Sequence, residues 1–295
     1  MCIIGFSSMD GWLILDKSEG MTSTQAGGSV KRLFGQKKIG HAGTLDPFAS
    51  GVLPLALGEA TKTMPYLMNR PKSYKFTLSF GAQTTTDDTE GEVIATSSNR
   101  PTLSDIQSSL SLFTGSIQQT PSVYSAIKIQ GKPAYARARA GETIEMPSRQ
   151  VEIYSLTLEH YDGESATCTV HCGTGTYVRS LGRDLALHLG TVGHLIMLQR
   201  TCVGPFNIQR AISLENIKKI SDTSLACVLL PIGSVLDDIP AVSVSLQKAA
   251  KIRHGQAVET SQGNACSVSV WCDDNLIALG HVVDNMFYPD RVFNI

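Results

Sequence analysis

A carboxylate held against a polar cleft can act as a base or as a nucleophile, and one stretch of this sequence is arranged to present such a group. Residues 40–58 read GHAGTLDPFASGVLPLALG. His41, Thr44 and Asp46 crowd polar chemistry into a short loop, just before an apolar run from Val52 to Leu57. Pro47 biases Asp46 away from the α region, and glycines at 40, 43 and 51 permit tight turning or close backbone approach. Asp-Pro is also a common turn initiator whose side chain bonds its own backbone, so spacing alone leaves a structural reading open. Polar groups packed beside chain that must be buried are the usual setting of a functional loop.

The flanking pattern supplies the elements that would position this loop. Trp12 to Leu15 is a short strand ending in a Gly-containing turn, and Lys17 beside it reads as a site residue or a solvated one. Thr22 to Phe34 is a helix capped by Thr22 or Ser23, with Ala26, Val30, Leu33 and Phe34 on one face. Gly27-Gly28 costs up to about 1 kcal/mol per glycine against alanine, and close packing on another backbone would explain it. Glu59 to Met68 is a short helix. Ser73 to Phe80 alternates as a half-buried strand, with Tyr74 on the apolar face, by default a core tyrosine. The acidic stretch Asp87 to Glu92 turns the chain back into Val93 to Ala95, and Ser104 to Phe113 is a helix capped by Ser104. Val151 to Leu158 and Ala166 to Cys172 are paired strands. Cys168 and Cys172 flank His171, but strand alternation turns His171 to the opposite face, which argues against a metal site.

Residues 172–190, CGTGTYVRSLGRDLALHLG, form a tight loop and then a helix capped by Thr176 and buried through Val178, Leu181, Leu185 and Leu189. The third glycine and downstream acid of a dinucleotide fingerprint are missing, and no P-loop lysine follows. Arg179 falls in the first turn, where the macrodipole disfavours a cation by about 0.3–1 kcal/mol. A buried carboxylate is the simplest compensation; an exposed arginine is the plain alternative. Ser213 to Ile220 is a last small helix, residues 231–240 read as a linker, and residues 241–295 carry alternating strands at Cys266 to Trp271 and Leu276 to Val283.

At 295 residues, 42% hydrophobic and 17% charged, the chain is globular, with room for one large domain and a small one. A formal net charge of −1 excludes a polycation, so any nucleic-acid binding must come from segregated charge. Charge is segregated: Lys31 to Lys75 holds eight basic residues against two acidic ones. Residues 120–141 are basic and interleave Lys128, Lys132, Arg137 and Arg139 with Tyr124 and Tyr135. That pattern suits a segment lying along RNA, with phosphate contacts and stacking, and equally a helical hairpin packed on the core. Seven cysteines without a CxxC pair suit reduced thiols in a cytoplasmic protein. The N-terminal MCIIGFSSMDGW has no basic n-region, so no signal peptide is expected, and no apolar run reaches membrane-span length.

The run GHAGTLDPFASGVL resembles the signature motif of the TruB family of tRNA pseudouridine synthases. Residues 10–23, DGWLILDKSEGMTS, resemble that family's opening motif, with Ser18 where proline is usual, and make Met9 a candidate first residue. The GTYVR run at 175–179 and HLIMLQRTCVGPF at 194–206 extend the resemblance, with Gln199 where relatives often have arginine. It implies an α+β pseudouridine synthase fold over residues 10–230, with a mixed, mostly antiparallel sheet and flanking helices. It also implies an RNA-clamping insertion at about 120–150 and a small PUA-type RNA-binding β domain at 241–295, for which a structural cap is the alternative. The implied function is isomerisation of the uridine at position 55 of the tRNA T-loop, by an isomerase needing no cofactor or metal. Asp46 would be the catalytic carboxylate, Arg179 its partner through a bidentate pair, and Tyr74 the residue stacked on the flipped base. His41 would fill the vacated space, and Tyr177, Leu198, Lys17, Lys128 and Arg200 would bind the substrate, Arg200 through a phosphate. The expected partner is the tRNA T-arm, engaged by a monomer. A guide-RNA-dependent synthase and a non-catalytic tRNA-binding module are the rival readings.

Overall fold

The computed structural model describes residues 9–125, 127–129 and 131–295. The segment read as lacking a signal peptide lies, through residue 8, outside the described residues. In chain order the first elements are β1 (Gly11–Lys17), α1 (Ser23–Leu33), β2 (Ile39–His41), β3 (Ser50–Leu57), α2 (Met64–Met68) and β4 (Lys72–Phe80). A hairpin of β5 (Ala82–Thr84) and β6 (Val93–Thr96) follows, then α3 (Leu103–Ser109) and β7 (Gly115–Gln119). The insertion contains a small hairpin, β8 (Lys128–Ile129) with β9 (Lys132–Pro133), and α4 (Ala134–Arg139). The chain then forms β10 (Arg149–Tyr161), β11 (Ser165–Cys172), α5 (Val178–His188), β12 (Gly193–Val203), β13 (Phe206–Asn207), β14 (Ile212–Ser213) and α6 (Leu214–Lys218).

Strands pair in the order β14-β1-β3-β12-β4-β11-β10-β7, with β13 on β12 and β2 on β3. Only β1–β14 and β3–β12 run parallel, so the sheet is mixed and mostly antiparallel, as expected. The continuous apolar character of β1 and β3 has a simple cause: both faces are covered. Leu13, Leu15, Leu53, Leu55 and Leu57 face one core with α1 and α5 residues, while Trp12, Ile14, Val52 and Ala56 face a second. Trp12 is fully buried there, a contribution of about 4–6 kcal/mol at 25 cal/mol per Å² of apolar area, before entropy.

The second core also contains Leu276, Leu279 and Phe293. The two leucines come from a separate five-stranded sheet and Phe293 directly follows it: β15 (Ala241–Ser243), β16 (Val258–Glu259), β17 (Ala265–Cys272), β18 (Asn275–Val283) and β19 (Met286–Val292), packed by α7 (Leu246–Arg253) around its own core. Residues 231–240 are therefore not a loose linker: Ile232, Val235 and Leu236 are buried in the joint, and Leu230 exchanges backbone hydrogen bonds with Trp12. Tyr66 Oη meets Ser267 Oγ at 2.8 Å, and Arg70 pairs with Asp237 and Asp238 at 2.5 and 2.7 Å. Part of the basic cluster read from the sequence is thus spent inside the fold.

Three local expectations need correction. The Glu59–Met68 segment is a 3-10 turn over Gly58–Thr63 followed by α2. The cap of α3 is Thr102, two residues earlier than Ser104, because Asp105 at N3 reciprocates in a capping box. Gly27 and Gly28 do not touch a backbone: a Cβ at either would meet a side-chain atom at 3.9 Å. The Thr22 cap of α1 is present, with Gln25 completing its box.

Candidate active site

The loop from Ala42 to Ala49 is fixed from below by backbone bonding. Ser23 Oγ, at the start of α1, donates to Leu45 O at 2.9 Å and accepts from Leu45 N at 2.8 Å. Gly20 N donates to Pro47 O at 2.8 Å, Ala42 N to Pro54 O at 3.0 Å, and Ala49 N to Asp46 O at 3.1 Å. Gly51 (φ +97) lies where β3 passes β12; a Cβ there would sit 2.3 Å from Arg200 O, so only glycine fits.

Two cations complete this support, and both differ from their expected roles. Lys17 is buried, and Nζ donates to Ser18 O, Met21 O and Pro47 O at 2.9, 2.6 and 3.3 Å. It anchors the loop and is not placed to meet a substrate. Arg200 is 1% exposed, with Nε on Val52 O at 2.7 Å and Nη2 on Gly43 O at 3.0 Å, and its guanidinium reaches the Tyr74 hydroxyl. It forms the cleft floor, and its burial replaces the expected phosphate contact.

Desolvation lowers the Lys17 pKa to about 8. Between pH 8 and the roughly 10.4 of a free lysine, the unfolded chain holds a proton that the fold lacks, so stability from this residue rises with pH across that window. Lys17→Met should lose about 1–3 kcal/mol at pH 7, because three carbonyls lose their donor. The gap to wild type should widen between pH 8 and 10; urea unfolding at pH 7 and 9.5 measures both effects.

Arg179 sits one residue inside α5, with its side chain 5% exposed against 39% for Asp46. Its Nε lies 2.9 Å from Asp46 Oδ2 as an ion pair, so the pairing expected of the first-turn cation is present in the geometry. The pair is not bidentate. Nη1 donates to Thr86 O at 2.7 Å and lies 3.3 Å from Asp88 Oδ2, while Nη2 donates to Tyr124 O at 3.2 Å. The guanidinium therefore joins four segments and gives Asp46 only one of its edges.

The acids at 87–88, read as a solvated turn, are 3% and 1% exposed. Asp88 Oδ1 accepts from Thr86 Oγ1 and from Glu90 N. Asp87 pairs with Arg183 at 3.0 Å, and its carboxyl is pushed up by burial, with Arg183 opposing. Arg183 also donates to Thr120 O at 2.7 Å, at the root of the insertion. A sequence signal existed: Arg179 and Arg183 are spaced i, i+4 on one helix face, and two such cations call for two carboxylates.

A cleft of about 310 Å³ opens above Asp46. Its lining includes Thr44, Asp46, Lys72, Tyr74, Arg149, Tyr177, Arg179, Leu198 and Arg200. Tyr74 is 8% exposed, and burial pushes its phenol up while Arg200 pulls it down. Tyr177, not Thr176, is the cap residue of α5; its N–H is taken by Gln119 Oε1 at 2.8 Å, and Thr176 Oγ1 turns back to Gly173 O. Arg149, which the sequence did not single out, stands over the Tyr177 ring at 4.8 Å. His41 is half-buried in β2, held towards its neutral form by burial and by Arg200, and does not line the cleft. Lys128 lies on the exposed β8–β9 hairpin, also away from the cleft. Cys168, Val170 and Cys172 share one buried face and His171 lies on the other, bonded to Ser73.

Comparison with known proteins gives the family. The family model described as TruB family pseudouridylate synthase (N terminal domain) matches residues 31–178. The model described as tRNA pseudouridylate synthase B C-terminal domain matches residues 179–237. The protein named tRNA pseudouridine synthase B of Rhodopseudomonas palustris is 49% identical, over 97% of this chain and 81% of its own length. Its namesake of Caulobacter vibrioides is 43% identical, over 98% and 97%. Among solved structures, an H/ACA RNP bound to a substrate RNA containing 2'-deoxyuridine has a chain similar over 97% of this one and 86% of its own length, with a TM-score of 0.74 and 22% identity, a likeness of fold. Signature loop, sheet order and relatives converge: the chain belongs to the TruB family of pseudouridylate synthases.

Proposed function

We propose that this protein isomerises uridine to pseudouridine in tRNA, at position 55 of the T-loop. One observation carries the reading. Asp46 is the sole carboxylate lining the cleft among the described residues, is partly exposed, and is paired with Arg179 from beneath. The relatives named tRNA pseudouridine synthase B support the substrate class.

The reaction breaks the N1–C1′ bond, turns the uracil and joins C5 to C1′; the C5 proton leaves, N1 gains a proton, and no redox step is required. A uridine in a folded loop must first be extruded, at a cost of a few kcal/mol. Tyr74 and Leu198 offer an aromatic and an aliphatic wall for the extruded base. Asp46 acts at the sugar, as nucleophile at C1′ or as base at C2′. Tyr74 then sits where the C5 proton must leave, with Arg200 beside its hydroxyl to offset the effect of burial. The insertion around 120–150 acts as an RNA clamp, and the C-terminal PUA-type domain extends the RNA surface. The protein works as a cytoplasmic monomer.

The test is tritium release from tRNA labelled at uridine C5, with purified protein and no guide RNA. Release of one tritium per tRNA, abolished when the T-loop uridine is replaced by cytidine, is expected. Release that depends on an added guide RNA would favour the guide-dependent reading, and tRNA binding without release would favour a non-catalytic module.

A further inference from the structure

We infer that Arg149 binds a phosphodiester of the RNA strand next to the extruded nucleotide, an assignment that rests on the uridine-isomerising reading above. Two cavities share the Asp46–Arg179 pair, and their charges are opposite. The cleft is lined by Lys72, Arg149, Arg179 and Arg200 with a single carboxylate. The second cavity, about 730 Å³, is lined by Asp46, Asp88, Glu90 and Glu92 with one cation. A polyanion is drawn to the first and repelled by the second, so the strand approaches Asp46 from the cleft side.

Within the cleft the cations are not equivalent. Arg179 and Arg200 are almost wholly buried and engaged by carbonyls and carboxylates. Lys72 Nζ already donates to Met68 O and Arg70 O at 3.2 and 3.0 Å. Arg149, the first residue of β10, pairs with no carboxylate among the described residues. Its side chain makes one described hydrogen bond, from Nη2 to Gly175 O; Nε is buried without a partner, and no described bond uses Nη1. Its guanidinium carbon lies over the Tyr177 ring, 4.8 Å from the centroid, a cation–π contact that helps hold the head group in place. Gly175 (φ +85) leaves room, since a Cβ there would come 3.5 Å from Arg149 Cζ. A planar, pre-oriented guanidinium with unspent N–H groups is the usual partner of a phosphate.

The alternative is an arginine that only braces the 173–177 loop, and salt dependence separates the two. Binding of a T-arm stem-loop by Arg149→Gln should weaken about tenfold, and the log Kd against log salt slope should fall by about 0.7–0.9, one phosphate's worth. In turnover the loss should fall on KM more than on kcat, and Arg149→Lys should keep the wild-type slope. An unchanged slope, or a loss confined to kcat and thermal stability, would overturn the assignment. Stem-loops with a single methylphosphonate then locate the contact. Wild type should lose about tenfold at one linkage near the target, where Arg149→Gln loses nothing more; additivity at every linkage overturns the inference. Wild-type tritium release from the unmodified stem-loop runs alongside, so failure of the isomerase reading shows there while the binding cycle still scores Arg149.

Discussion

Asp46→Asn should bind tRNA within about threefold of wild type and release no measurable tritium, a loss of at least about 10⁴-fold for removal of a reacting carboxylate. The substitution keeps the shape of the side chain, so binding and reaction can be read apart. The turn itself is held by Ala49 N on Asp46 O, Gly20 N on Pro47 O and Ser23 on Leu45, none of which involves the carboxylate. Arg179 keeps Thr86 O, Tyr124 O and Asp88, and its Nε can donate to the asparagine carbonyl oxygen. The fold and the cleft should therefore survive, and the melting temperature should move little. What an amide cannot do is attack C1′ or take a proton from C2′, whichever route the reaction follows. Turnover near the wild-type rate would remove Asp46 from the chemistry and leave it as an Asx turn.

The sequence made the candidate catalytic loop legible because its information is local: one contiguous run carries the acid, the proline and the glycines. The strands were legible for the same reason. β4 alternates over nine residues, and Tyr74, Phe76, Leu78 and Phe80 all reach one core. What stayed hidden was long-range. Asp87 and Asp88 look like turn acids until α5 is folded against them, and the distance in sequence to Arg179 and Arg183 erases the pattern. Lys17 and Arg200 look like solvated or phosphate-binding cations because residue type cannot reveal that three carbonyls, or two carbonyls and a phenol, will converge on them. Residues 231–240 read as a linker, yet Ile232, Val235 and Leu236 within them fill the joint between the two sheets.

Arg179→Lys should cost at least about 10²-fold in single-turnover rate, about 3 kcal/mol of barrier, and should also lower thermal stability. The two losses have separable causes. Nε, Nη1 and Nη2 point in different directions, to Asp46, to Thr86 O with Asp88, and to Tyr124 O. One ammonium nitrogen can occupy any of these positions but not all. If it stays with Asp46, Asp88 becomes a buried carboxylate without its partner, and breaking such a pair costs about 3–5 kcal/mol. If it moves to Asp88, Asp46 is no longer aimed into the cleft. Adding Asp88→Asn to Arg179→Lys removes the stranded charge, so the double variant should recover most of the lost melting temperature. It should recover little of the rate, because the orientation of Asp46 is still missing. Asp88→Asn alone tests the other half: Arg179 then keeps Asp46 but loses one of its two anions, and a fall of about 10-fold in rate with tRNA affinity retained is expected. A double variant that regained wild-type turnover would mean that Arg179 serves only to neutralise Asp88, and that Asp46 finds its working orientation from the turn alone.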